Sequence, residues 1–247
     1  MLSFKHFTLK YHSELNAKIW HGDKIDPEVR RHLLLIAEKF RIFAEIPQSA
    51  VKDVFLTGGL ANFLWNEMSD LDVHLLTNFK KVQKCNQDFI NKYMMDKKAI
   101  WANIHQDLRV KGYPVELYAH PTTSLFHEHQ GVFSLTRNRW IQKPTHQNIN
   151  IEHSTTLQQK VLFLARQIDD LVSSSSTDKE QIEKMRTKIW QMRNSAIASG
   201  GEFAEGNLIY KELRNQGYLK ILSKFLTGLE DKELSLESIN QIHLHNF

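Results

Sequence analysis

The stretch "FLTGGLANFLWNEMSDLDVHLL", residues 55–76, decides how the chain is read. An apolar run ends at Thr57-Gly58-Gly59. Leu60, Phe63, Leu64 and Glu67 then recur at helical offsets, so residues 60–68 read as a two-turn helix. Asp70 and Asp72 flank Leu71 at the start of a second apolar run, residues 71–76, which reads as a strand. Strand side chains alternate between faces, so the two aspartates point one way and Leu71, Val73 and Leu75 point the other, into a core. Two carboxylates held side by side repel each other and raise one pKa, a cost that a divalent cation between them removes. Oxygen-only ligation by carboxylates suits Mg²⁺, which keeps several waters and bridges to substrate phosphates. A bare Asp-x-Asp is more often a pair of exposed acids at a strand end. Here it follows a glycine turn that opens a helix. Glycine lets backbone approach a ligand closely, and a helix N-terminus offers N–H groups to a phosphate.

Outward from this stretch, residues 51–56 form a strand. Asp26 is a plausible N-cap with Pro27 at the first helical position, and Leu33, Ile36, Ala37 and Phe40 continue a helix over 26–44. Val82, Phe89, Tyr93 and Ile100 mark a long helical pattern over 79–104. Strand pieces at 108–110 and 115–119 flank a Gly112-Tyr113-Pro114 turn, and further short strands are expected at 131–135 and 140–141. After about residue 150 the pattern is helical throughout, over 154–173, 178–199, 204–226 and a short 237–243. A serine run at 173–176 and Gly200-Gly201 separate these helices. The expected fold is α+β. A small mixed sheet with flanking helices occupies residues 1–150, and a helical domain occupies 151–247.

Composition narrows the function classes. Of 247 residues, 41% are hydrophobic and 24% charged, which is ordinary for a globular protein with a real core. One cysteine, Cys85, excludes an internal disulfide framework and fits a reducing compartment. No apolar run approaches the ~20 residues of a membrane helix, and residues 1–12 lack the apolar core of a signal peptide. A cytoplasmic protein without a membrane partner is expected. A net charge of +4 and a pI near 9.0 favour anionic partners such as nucleotides or nucleic acid. No P-loop, G-x-S-x-G, HExxH or CxxC motif is present. His127-Glu128-His129 could aim two imidazoles from one strand face, but no further ligand stands at structural-zinc spacing. Trp65, Trp101, Trp140 and Trp190 occupy apolar positions and read as core rather than as base-stacking platforms.

The order of apolar run, Gly-Gly, short spacer and Asp-Leu-Asp resembles the nucleotidyltransferase superfamily. That superfamily includes DNA polymerase β, CCA-adding enzymes, kanamycin-type nucleotidyltransferases and cyclic-dinucleotide synthases. The second glycine is often serine there; Gly59 replaces it here and lacks the hydroxyl. The family carries a third carboxylate on a later strand, and Glu116 within Val115-Glu116-Leu117-Tyr118 fits, with Asp107 as its rival. The resemblance covers residues 50–120. The segments RVKGYPVELYAH, from Arg109, and GVFSLTRNRWIQKP, from Gly131, are also similar to nucleotidyltransferases of large bacteriophages.

The resemblance implies an enzyme. A hydroxyl attacks the α-phosphate of a nucleoside triphosphate and pyrophosphate leaves, with two Mg²⁺ ions held by Asp70, Asp72 and Glu116. Gly58, Gly59 and Ser69 would contact the nucleotide. An RNA 3′ end is the favoured acceptor; a protein hydroxyl, as in AMP-transferring antitoxins, a small molecule such as an aminoglycoside, or a second nucleotide are alternatives. A catalytically silent binding module of the same fold is the rival class, and a structural protein a third. Cations for the triphosphate are sought among Arg109, Lys111, Arg137, Arg139, Lys143, Arg186 and Lys188. Asn207, Lys211 and Arg214 also share one helix face. Helical domains in such enzymes often close over the nucleotide, and Lys211 and Arg214 are the preferred pair because they follow Gly200-Gly201-Glu202-Phe203 in a segment otherwise tied to the core by Leu208, Ile209 and Leu213.

Overall fold

A computed structural model describes residues 7–82, 86–122, 126, 129–147, 151, 154–174 and 176–235. The helix expected at 237–243, Cys85 and the His127-Glu128 pair lie outside them. The chain divides into two units, Lys10–Ile149 and Met1–Leu9 with Asn150–Phe247.

The first unit opens with a small hairpin, β1 (Trp20–His21) and β2 (Lys24–Ile25). Helix α1 (Pro27–Phe43) follows. The Asp26 carboxylate accepts the N–H groups of Glu28 and Val29, and Pro27 sits where no donor is needed. Val29, Leu33, Ala37 and Phe40 form the buried stripe of α1. Next come β3 (Val51–Thr57), β4 (Leu71–Thr77), α2 (Gln87–Ile104), β5 (Arg109–Val110), β6 (Tyr113–Pro121), β7 (Val132–Ser134) and β8 (Arg139–Gln142). The last six strands form one sheet in the order β5-β6-β4-β3-β7-β8. Only the β4–β6 pair is parallel, with α2 as its crossover, so the sheet is mixed. The β5–β6 hairpin turns over Lys111-Gly112, both with positive φ, as a tight two-residue turn prefers.

Helix α1 packs against β4 and α2 against β6. Leu71, Val73, Leu75 and Leu117, all at most 1% exposed, join Phe40 and Trp101 in the core between them. The architecture is the expected α+β one, with local differences in this unit: the β1–β2 hairpin was not expected, Tyr113 and Pro114 pair within β6 instead of forming the turn with Gly112, and two helical readings change. Residues 60–68 are not a helix. A single 3₁₀ turn, Gly59–Ala61, gives way to an extended Asn62. The Asn62 carboxamide accepts the Phe63 N–H, the Asn66 carboxamide accepts the Met68 N–H, and the Ser69 hydroxyl accepts the Asn66 N–H. Short polar side chains compete with the helix for backbone donors and here they win. Phe63 and Leu64 are nevertheless buried, so their spacing reported burial and not helicity. The 79–104 pattern also splits. Phe79–Lys81 is a 3₁₀ turn, and α2 starts where Asn86 caps it by accepting the Asp88 N–H.

The second unit holds α3 (Thr155–Ser173), α4 (Lys179–Gly200), α5 (Glu205–Asn215) and α6 (Tyr218–Leu234). Asp178 and Gln181 close a reciprocal capping box on α4. The single helix expected over 204–226 is two helices. Gly217 takes a left-handed φ of 86°, and its N–H reaches the Arg214 carbonyl, so α5 stops there. Glu212 on α5 is fully buried and accepts the N–H groups of Thr8 and Leu9 and the Thr8 hydroxyl. That carboxylate ties the N-terminal residues to the helical unit. Trp190, expected in the core, is 58% exposed, because the buried stripe of α4 is Ile182, Met185 and Ile189. No helix among the described residues is long and apolar enough to cross a membrane.

If β4 carries the core as described, Leu75→Ala should cost about 2–5 kcal/mol in urea unfolding. Leu35→Ala on the exposed side of α1 should stay within about 0.5 kcal/mol. Equal, small losses at both positions would contradict this packing.

Candidate active site

The register of the sheet builds the site. Parallel pairing sets Asp72 directly opposite Glu116, and antiparallel pairing sets Thr57 opposite Asp72. Directly paired residues point to the same side of a sheet. Asp70, two residues before Asp72 at the mouth of β4, shares that side. One carboxylate oxygen from each of Asp70, Asp72 and Glu116 lies within 4.8 Å of the others. All three residues are partly exposed. The structure thus brings together the three acids singled out from sequence, on the face opposite Leu71, Val73 and Leu75. Asp107, the rival, is exposed between α2 and β5.

The glycine turn lies against this row. Gly58 has φ +78°, and a β-carbon there would fall inside the Asp72 carboxylate. Backbone and acid therefore approach as closely as only glycine permits. Gly59 begins the 3₁₀ turn beside the Leu64 carbonyl. The expected helix N-terminus behind Gly58-Gly59 is absent, so this turn offers a tight backbone corner and not a helix dipole. Thr57 anchors the end of β3, donating to the Gly131 carbonyl and accepting from the Gln130 carboxamide, both at 2.8 Å. Ser69 is buried, with its hydroxyl holding the Asn66 N–H at 2.9 Å. It braces the loop that delivers Asp70.

One step further along the strands lies a second row, Phe55, His74 and Tyr118. His74 stacks on Phe55 at 5.0 Å and on Tyr118 at 4.5 Å between ring centres. Burial, with His120 and Lys98 nearby, lowers the His74 pKa to about 3, so the ring is neutral at ordinary pH. The Tyr118 hydroxyl donates to Glu116 Oε2 at 2.5 Å. Burial, then the charges of Asp72 and Glu116, push the Tyr118 pKa far up, so the phenol keeps its proton. Lys98 of α2 brings its ammonium to 3.2 Å from the same Glu116 oxygen and 3.5 Å from the Tyr118 ring centre. Burial alone would raise the Glu116 carboxyl. The Tyr118 hydroxyl, Lys98 and a hydrogen bond with Asp70 outweigh it and hold Glu116 below the usual carboxylate range.

Three like charges this close repel by roughly 3 kcal/mol per pair at an effective dielectric near 20. An all-oxygen, carboxylate-only set of this kind matches a hard divalent cation such as Mg²⁺. At Gly58 the Asp72 carboxylate lies against the backbone, in the place a β-carbon would take. The residues present therefore fit the metal expected from sequence.

Sequence reading missed His74, Tyr118 and Lys98. The first two were legible in principle, each two residues along a strand from an acid on the same face. Lys98 comes from a helix and carried no such signal. The cations proposed from sequence have other neighbours. Lys111 pairs with Glu28, Lys143 with Asp23, Arg137 lies 3.7 Å from Asp53, and Lys188 reaches Gln167. Arg109 and Arg139 are exposed. In the helical unit, Lys211 pairs with Glu202 at 2.5 Å, Asn207 is buried and donates to the Glu202 carbonyl, and Arg214 is exposed on α5.

No protein-family model and no curated protein matches the sequence. Among solved structures, the chain is similar to a STING-associated CdnE c-di-GMP synthase from Capnocytophaga granulosa. The likeness has 9% identity over 84% of each chain and a TM-score of 0.21.

Two outcomes test the site. Glu116, with its depressed pKa, contributes stability above the ordinary glutamate value and loses it as pH falls through its own. Tyr118→Phe should therefore move the Glu116 carboxyl upward in ¹³C NMR titration and shrink that contribution; an unmoved carboxyl would contradict the contact. Gly58→Ala should cost about 1–3 kcal/mol in chemical denaturation, because it forces a side chain into a left-handed, filled position.

Proposed function

We propose that the chain is a Mg²⁺-dependent nucleotidyltransferase, moving a nucleoside monophosphate from a nucleoside triphosphate to a hydroxyl. One observation carries this reading. Three carboxylates, from β4, from the residue just before it and from the neighbouring β6, converge within 4.8 Å, beside a glycine turn that has no room for a side chain. Asp70, Asp72 and Glu116 would hold the metal. When bound, Mg²⁺ neutralises charge on the triphosphate and lowers the pKa of the attacking hydroxyl.

The chain's own residues supply the rest. The Gly58-Gly59 corner admits the phosphate tail close to Asp72. Glu116 stays ionised through its contacts with Tyr118 and Lys98 and would take the proton of the attacking hydroxyl; its lowered pKa makes it a weak base, so the acidity of that hydroxyl would come from the metal. A new P–O bond forms at the α-phosphate as the bond to pyrophosphate breaks. The stacked Phe55-His74-Tyr118 row keeps Tyr118 in place and so fixes the carboxylate it donates to. Ser69 acts through the loop that it braces. The net charge of +4 favours an RNA 3′ end as acceptor over a small molecule such as an aminoglycoside or a protein hydroxyl.

Incubation with each α-labelled triphosphate and total RNA, or whole lysate, should label an RNA species only in the presence of Mg²⁺. Asp72→Asn should lower the rate by about a thousandfold or more while leaving the circular dichroism spectrum unchanged. Near-normal activity in that variant would remove the metal role. Label on protein alone would move the acceptor.

A further inference from the structure

Lys98 enters the chemistry just described only by helping to keep Glu116 ionised, yet its placement is specific. Its side chain is only 23% exposed, and the ammonium is held by two partners, the face of Tyr118 and Glu116 Oε2. A lysine loses much rotamer freedom when fixed, so a double contact of this kind marks a preferred position. The charge is informative, because the Lys98 ammonium and a divalent cation would compete for the same Glu116 carboxylate.

We propose that Lys98 is a built-in counter-ion that competes with a divalent cation for Glu116. Without nucleotide the site takes one divalent ion, on Asp70 and Asp72, and accepts a second only when Lys98 withdraws from Glu116. The proposal rests on reading the three acids as a metal platform. A triphosphate would give the released ammonium a new anionic partner. Substrate binding and loading of the second ion are then coupled through one side chain, each favouring the other.

Manganese titration of the full chain tests this, with calorimetry for stoichiometry and electron paramagnetic resonance for ion–ion coupling. The wild-type protein should bind one equivalent without nucleotide. Lys98→Met should bind Mn²⁺ about tenfold more tightly or better, and take a second equivalent with dipolar broadening, because a nearby positive charge is gone. Lys98→Arg, which keeps the charge, should stay close to wild type. Should the methionine variant not fold, Lys98→Gln replaces it. Two equivalents in the wild type, or unchanged affinity and stoichiometry on removing the charge, would overturn the proposal. Absence of Mn²⁺ binding in every protein at millimolar concentration would instead remove the metal platform itself, and the role of Lys98 with it.

Discussion

The parallel pairing of β4 with β6, in the register that sets Asp72 opposite Glu116, is the constraint on which the rest depends. Slipping it by one residue would turn Glu116 to the far side of the sheet and drive Leu117 out of the core. Burial of Leu71, Val73, Leu75 and Leu117 therefore does two jobs. It supplies core free energy, at about 25 cal/mol per Å² of apolar surface removed from water. It also fixes which side chains face the opposite way. The acids are close together because the leucines and valine beneath them are packed.

The same register produces the supporting row. Phe55, His74 and Tyr118 stack across three adjacent strands, and the phenol at the end of that stack donates to Glu116. Low-dielectric surroundings keep His74 neutral and Tyr118 protonated, so the row contributes orientation without adding charge. Charge comes from Lys98 on the crossover helix. The site thus joins an acidic row, an aromatic row that aims one acid, and the Lys98 ammonium, which offsets part of the repulsion.

Much of this was legible in the sequence. Alternation in "LDVHLL" separated core residues from acids, and Asp26-Pro27 and Asp178 marked helix starts. Glu116 came from the resemblance, which implies a third carboxylate on a later strand; its apolar flanks made it fit that place, while the pattern alone would have read it as an edge residue. What failed had physical causes. Leu60, Phe63 and Leu64 are buried at helical spacing, but Asn62, Asn66 and Ser69 capture the backbone donors that a helix would have used. The helix over 204–226 was broken by a left-handed Gly217, which periodicity cannot see. Lys98 lies 18 residues from Glu116 on a different type of element, and only the folded chain joins them. The attachment of Thr8 and Leu9 to Glu212 was hidden for the same reason.

The most direct test of the central claim is a crystal of the protein grown with Mn²⁺ and a non-hydrolysable nucleoside triphosphate analogue, with anomalous scattering collected at the manganese edge. The account predicts an anomalous peak between the Asp70 and Asp72 carboxylates, at bond lengths of about 2.1 Å, with the triphosphate tail at the Gly58-Gly59 corner. Manganese bound elsewhere, or a nucleotide seated away from the three acids, would contradict it.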